Sequence, residues 1–239
     1  DVSLTTRVID LETYVVSSAA MNAFRAANLQ RTSSNLREVV ASDFFGSFAD
    51  TNAAEALNRL PGVSLERDQG EGRFVVIRGI DPSLNSVAID GVAIASPSAD
   101  SRSTLLDTIP IDVLDTLEVT KAVLPDQPGD SIGGHINLRT PSAFDAGANT
   151  GSVTGAALYS ELVEEWGYRF NGSYSYIFGE NSDWGLHIAA HRSERTFGSD
   201  NVEAAEWEQE GDGYITNEFE YRDYDLTRER TGLSLSLEY

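Results

Sequence analysis

Residues 168–178 read Tyr168-Arg169-Phe170-Asn171-Gly172-Ser173-Tyr174-Ser175-Tyr176-Ile177-Phe178. One side of this alternation carries Tyr168, Phe170, Gly172, Tyr174, Tyr176 and Phe178; the other carries Arg169, Asn171, Ser173, Ser175 and Ile177. A period of two is the mark of a strand. Its eleven residues match the length of a strand that crosses a bilayer. The pattern recurs downstream. Trp184, Leu186, Ile188 and Ala190 alternate with Gly185, His187, Ala189 and His191, and Leu233, Leu235, Leu237 and Tyr239 alternate with Ser234, Ser236 and Glu238. Aromatic residues gather near the strand ends, as interfacial girdles require. The turn Gly179–Asp183 is short, whereas Ser193–Thr216, with seven acids and one arginine, reads as a long acidic loop. Two architectures fit: a transmembrane β-barrel with a polar lumen, or a soluble antiparallel sheet buried on one face.

Composition narrows the field. The 239 residues are 41% hydrophobic and 23% charged, enough for a folded core. Acids number 38 against 17 bases, a net charge of −21, which argues against nucleic-acid binding. The charge is −9 over residues 1–148 and −12 over 149–239. Sixteen arginines stand beside one lysine, Lys121. Cysteine is absent, which excludes disulfides, thiolate metal sites and a cysteine nucleophile. No apolar run is long enough for a transmembrane helix. Asp1-Val2-Ser3-Leu4 has neither the basic nor the apolar region of a signal peptide, so any such peptide is expected to have been removed.

Upstream the texture changes. Residues 1–35 are polar and uneven. Residues 36–145 interleave short helices and strands, an α+β pattern of roughly 100 residues. Asn52–Leu60 reads as a helix capped by Asp50, Thr51 or Asn52, with Ala53, Ala56, Leu57 and Leu60 on one face and Pro61-Gly62 as its stop. Strands are expected at 63–66, 74–77, 86–89, 117–120 and 135–138. Asp90-Gly91 signals a hairpin into Val92-Ala93-Ile94. Helical turns are expected at Ser103–Leu106 and Ile109–Leu114.

Five segments, in order, resemble the plug domain of TonB-dependent outer-membrane receptors: Ala56-Leu57-Asn58-Arg59-Leu60-Pro61-Gly62-Val63, Val76-Ile77-Arg78-Gly79, Val87-Ala88-Ile89-Asp90-Gly91-Val92, Leu117-Glu118-Val119-Thr120-Lys121, and Ile132-Gly133-Gly134-His135-Ile136-Asn137-Leu138. Each is weak alone; five in order, followed by barrel patterning, agree on one object. The resemblance implies three parts: an N-terminal periplasmic segment over 1–35, a plug of small mixed sheet and short helices over 36–145, and the first four or five strands over 149–239 of a transmembrane β-barrel that needs about 22 strands to enclose a plug.

The same resemblance implies TonB-dependent uptake of a scarce large substrate across the outer membrane of a Gram-negative bacterium. No enzyme chemistry and no cofactor are implied. Asp10, Leu11, Glu12, Thr13, Tyr14, Val15 and Val16 resemble a TonB box, a segment able to add as a strand to the TonB C-terminal domain. Arg78 and Lys121 stand where the family places cations that dock the plug on acids of the barrel wall. The loops carrying Asp81, Ser83 and Asn85, and Ser98, Asp100, Ser101 and Arg102, are the candidate ligand contacts. Lys121 replaces an arginine, Ala122-Val123 replaces a Gly-Pro, and Asp126–Ser131 stands where a Tyr-Gly is usual. These departures shift the expected cargo from a ferric siderophore towards a glycan or complex organic molecule. Outer-membrane lipid and a surface lipoprotein are the remaining implied partners. The rival function is a soluble periplasmic or secreted β-rich binding protein without transport.

Three decoys carry less. Gly129-Asp130-Ser131 resembles a hydrolase signature but needs an oriented base. His187 and His191, four apart on a strand, lie about 13 Å from each other and share no metal. The acids from Glu203 to Asp212 match no calcium-loop spacing.

Overall fold

The computed structural model describes residues 18–42, 52–123, 125, 129, 131–145 and 147–239. A small α+β domain leads into four long antiparallel strands.

The domain is built on a five-stranded mixed sheet. Its strands are β1 (Arg37–Ala41), β4 (Asn85–Ile89), β5 (Val92–Ala93), β6 (Thr116–Thr120) and β7 (Gly134–Arg139), in the order β1-β6-β7-β4-β5, and only β4 and β7 run parallel. A separate hairpin pairs β2 (Val63–Asp68) with β3 (Glu71–Ile77). The core is where the sequence alternation places it. Leu117 and Val119 of β6 and Ile136 and Leu138 of β7 are fully buried with Leu57, Ile77, Leu106 and Ile111. The second face of β6 is covered from the N-terminal side. There α1 (Ser18–Thr32) packs Ala26 and Leu29 against Val39 and Ala41, a helix in a stretch that the sequence presents only as polar and uneven.

Helix α2 (Ala53–Leu57) is shorter than its apolar stripe. Asn52 caps it, accepting from Glu55 N at 3.0 Å, and residues 58–60 close in tight turns before Gly62 at φ 68°. Asp90 and Gly91 both adopt positive φ (48° and 79°), the turn that matches strand twist. The Asp90 carboxylate then accepts from Thr140 N at 3.0 Å and from its hydroxyl at 2.7 Å, tying the hairpin to the end of β7. Helical turns occupy Leu106–Thr108 and Ile111–Val113.

Strands β8 (Thr150–Ser160), β9 (Glu165–Phe178), β10 (Trp184–Glu210) and β11 (Gly213–Glu238) form one meander. Their polarity is inside out relative to a soluble sheet. His187, His191 and Ser193 of β10, Ser175 of β9 and Arg230 of β11 are buried, while Leu233, Leu235 and Leu237 are 78%, 70% and 63% exposed. Two aromatic clusters bound this apolar outer band. Tyr176, Phe178, Trp184 and Tyr239 run ring to ring at 5.6, 6.2 and 4.9 Å at one end. Tyr159 meets Trp166 at 5.0 Å, and Tyr168 meets Phe170 at 5.7 Å, at the other. Two girdles flanking an apolar band are the signature of a wall that faces lipid.

The expected acidic loop is instead strand. β10 and β11 pair without a break in register from Ser193–Arg230 to Ala205–Glu218, and close at Gly211, φ 61°. Acids are poor strand formers, but here cross-strand partners offset them: Arg222 meets Glu203 at 2.8 Å and also pairs with Glu220. A strand of 27 residues spans about 90 Å, of which a bilayer takes about eleven residues. More than half of the hairpin therefore stands clear of the apolar band.

If this outer face meets lipid, Leu235→Arg is expected to destabilise the folded wall by about 2–4 kcal/mol, and Ser234→Arg, on the opposite face, by less. Heat-modifiable migration of the full-length protein refolded into vesicles measures both; equal effects would refute the assignment of faces.

Candidate functional site

The contacts that join the two parts are ionic. Glu71 opens β3 and its side chain is 3% exposed. It meets three guanidinium groups: Arg195 of β10 at 2.9 Å, and Arg228 and Arg230 of β11 at 3.1 and 2.6 Å. Asp107, in the Leu106–Thr108 turn, meets Arg228 at 2.9 Å and accepts from Arg230 Nε through its backbone carbonyl at 2.9 Å. Gln69 accepts from Arg228 at 3.5 Å. Phe197 is buried at the centre, with the Arg195 and Arg228 guanidinium carbons 4.5 and 5.8 Å from its ring centroid. Further along the strands, Asp112 meets His191 Nδ1 at 3.1 Å and Arg169 at 3.9 Å. His191 is held by Asn171 at 2.5 Å and Ser193 at 2.9 Å. At the aromatic end of β11, the Ser142 hydroxyl donates to Glu238.

Local structure aims these carboxylates. Glu55, on α2, receives both guanidinium nitrogens of Arg67 at 2.7 and 2.9 Å and the backbone N–H of Gly72 at 2.8 Å. Asn52, fully buried, donates to the Gly72 carbonyl at 3.4 Å while capping α2. The turn end of the β2–β3 hairpin is thus bolted to the helix on both sides of Glu71. At Gly72 an added Cβ would lie 2.3 Å from Leu65 Cδ1 and 3.1 Å from Glu55 Oε1, so a larger residue there would have to displace both side chains. Strand parity does the rest: Arg228 and Arg230 share the inward face with Gly232, Ser234 and Ser236. Gly232 leaves room for Val113 and Pro110, whose side chains lie 3.2 and 3.4 Å from where its Cβ would stand.

The residues singled out in the sequence fall elsewhere. Asp10, Leu11, Glu12, Thr13, Tyr14, Val15 and Val16 lie outside the described residues. Arg78 adopts φ 54° and donates to the Gly133 carbonyl at 3.2 Å. Lys121 is buried and pairs with Glu38 at 3.1 Å. Both cations make these contacts within the α+β domain. On the four strands present, the ionic contacts to the wall run from domain acids to strand arginines. The signal for this lay in the alternation itself, which puts Arg195, Arg228 and Arg230 on the polar side.

Asn85, Ser98, Asp100, Ser101 and Arg102 line one depression of about 530 Å³ with Ser86, Ser96 and Thr104. Asp81 and Ser83 stand apart. Asp81 accepts from the Ser83 backbone at 2.8 Å and its hydroxyl at 2.6 Å, which holds its carboxyl below the usual carboxylate range. That role is a turn cap. Asn85 is buried and donates to Val75 O at 2.8 Å. Among the decoys, His135 bonds Ser86 at 2.7 Å, and His187 bonds Ser175 at 2.8 Å. Among the described residues no cluster suits a metal ion.

Removing one member of a buried ion pair strands the other charges at a cost of about 3–5 kcal/mol. Glu71→Ala is therefore expected to loosen the domain from the strands by that amount, and Glu71→Ala with Arg230→Ala by less than the sum of the single changes. Chemical denaturation of the full-length protein, followed by exchange of the β2–β3 amides, reads both; strict additivity would sink the pairing.

Comparison with known proteins agrees with this architecture. Residues 28–135 match the family described as TonB-dependent Receptor Plug Domain. A mutant of the ferric enterobactin receptor of Pseudomonas aeruginosa superposes with TM-score 0.53 at 16% identity, over 68% of this chain and 25% of that one. The ferric citrate transporter FecA gives 0.51 at 20%, over 73% and 30%. The ferric-catecholate import receptor Fiu of E. coli K12 gives 0.50 at 18%, over 68% and 21%. The chain thus spans between a fifth and a third of those solved chains. With an α+β domain seated on the polar face of strands that turn their apolar face outward, the chain has the fold of a TonB-dependent receptor's first part: residues 28–135 match the plug domain, and the strands after them match the start of the barrel.

Proposed function

We propose that this protein gates TonB-dependent uptake of a large, scarce solute across the outer membrane of a Gram-negative bacterium. The observation that carries the reading is the seam between plug and wall. It is made of charge and hydrogen bonds on the polar face of the strands, with little apolar packing. Apolar burial would fix the plug in place, whereas a seam of ion pairs can re-form in water once the geometry opens.

The proposed cycle begins at residues 10–16, which pair as an added strand with the TonB C-terminal domain. Force on that segment passes into α1. There Arg25 holds Asp115 at 3.0 Å and Asp145 at 2.6 Å, joining the helix both to β6 and to the linker that enters the first barrel strand. Beyond α1 the load reaches β1, an edge strand with five paired residues on β6. The plug is then drawn aside through its charged seam, and no covalent chemistry occurs. Glutamates and arginines of the projecting β10–β11 hairpin face the outside, together with the hydroxyl-lined depression at Ser98–Arg102 as a candidate contact for cargo.

The solved relatives named above are receptors or transporters of ferric enterobactin, ferric citrate and ferric catecholates. The hydroxyl-rich lining is equally suited to a polyhydroxylated organic solute, and a glycan therefore stands beside a ferric complex as the proposed cargo. Outer-membrane lipid is the proposed environment of the strands, and a surface lipoprotein is a further proposed partner.

Strand addition is made by backbone groups, so a proline within the segment removes a donor and blocks pairing. Thr13→Pro in the full-length receptor is expected to weaken binding of the purified TonB C-terminal domain by about tenfold or more, the worth of one or two ladder hydrogen bonds. Calorimetric titration in detergent checks this; unchanged affinity would mean that TonB engages another segment.

A further inference from the structure

Between Glu238 at one end of the wall and Glu203 and Glu220 at the other, the inward face of β10 and β11 carries Arg195, Arg222, Arg228 and Arg230, with His187 and His191, and no acid; Arg169 joins them from β9. Glu194 and Glu229 lie directly across from each other on the opposite, outward face. In a chain of net charge −21, this is a concentrated cationic strip. Glu71 and Asp107 of the plug pair with Arg195, Arg228 and Arg230, and Asp112 of the plug with Arg169, whereas Arg222, nearer the hairpin tip, pairs with Glu203 and Glu220 of the wall itself. Within the upper cluster three guanidinium groups face two carboxylates, so positive charge remains in excess even at rest. Three guanidinium groups converging on one buried carboxylate is the geometry by which proteins hold an oxyanion.

We propose that these arginines form an anion-binding track on the lumen wall, occupied at rest by the plug's own carboxylates. Glu71 and Asp107 act as tethered counter-ions. When the β2–β3 hairpin and the Leu106–Thr108 and Ile111–Val113 turns withdraw with the plug, these arginines are left without the plug's carboxylates in a confined lumen, and a buried, uncompensated set of arginines demands an anion. A passing solute bearing carboxylate or phosphate groups exchanges with the plug acids in both directions, which lowers the cost of opening and then releases the solute as the plug returns. The track itself rests on the wall geometry; its use during transport rests on the gating reading above.

The mouth above the strip is acidic, so entry of a bare small anion against that field is slow, and equilibrium binding is the quantity to read. The probe is inorganic pyrophosphate, added to the full-length receptor in detergent at constant ionic strength with chloride as the matched control. In the wild type, amide exchange over residues 67–72 is expected to accelerate with pyrophosphate and not with chloride. In the variant Glu71→Gln, Asp107→Asn, which empties the track of its counter-ions, pyrophosphate is expected to bind about tenfold more tightly than to wild type. Adding Arg228→Gln and Arg230→Gln is expected to abolish that gain. Exchange that pyrophosphate leaves unchanged overturns the proposal, whether or not the double variant folds. Equal affinity of variant and wild type overturns it too. Unchanged TonB affinity in the Thr13→Pro experiment, with anion competition intact, would instead count against pulling from residues 10–16 and leave the track standing.

Discussion

A single buried carboxylate, Glu71, holds three arginines from two strands, and the arrangement of the whole chain can be read from that point. For Glu71 to arrive there, the β2–β3 hairpin must be rooted. Asn52 and Glu55 of α2 root it, and α2 is in turn fixed by the apolar core around Leu57 and Ile77. For the arginines to arrive, β10 and β11 must keep their register over many residues, since a slip by one would turn every guanidinium to the opposite face. A charged contact that is costly to leave half-made thereby ties the plug's core to the strand ladder.

Much of the fold was legible in the sequence because two periodicities were clean. Leu117 and Val119, and Ile136 and Leu138, announced core strands, and the Tyr168–Phe178 alternation announced a wall with one apolar face. Two elements were not legible. Among the described side chains, helix α1 packs Ala26 and Leu29 against β1, too thin a stripe to stand out from a polar segment. The tip of the β10–β11 hairpin is rich in acids, which locally favour a loop, and only its pairing with the facing strand makes it a strand. The second case shows tertiary pairing overriding local preference.

The site was legible in kind but not in its members. A polar seam between plug and wall follows from the polar strand face. Arg78 and Lys121 were the natural choices because they sit in recognisable motifs, yet they bind Gly133 and Glu38 inside the plug. The residues that cross the seam sit in no motif. Glu71 and Arg230 are 159 positions apart, and no local pattern reports on a pair so distant. What sequence does offer is parity, which assigns Arg228 and Arg230 to the lumen without saying which acid will meet them.

That separation bears on the order in which the molecule comes together. β10 and β11 meet through a tight turn, and β9 joins β10 across five residues, so each hairpin closes at small entropic cost and forms early. The Glu71 cluster closes a loop of 159 positions and stabilises nothing until the wall already presents its arginines. Assembly is therefore ordered by contact distance: strands first, plug last. A lesion in the seam should leave barrel biogenesis intact and surface only as a plug that is slow to settle.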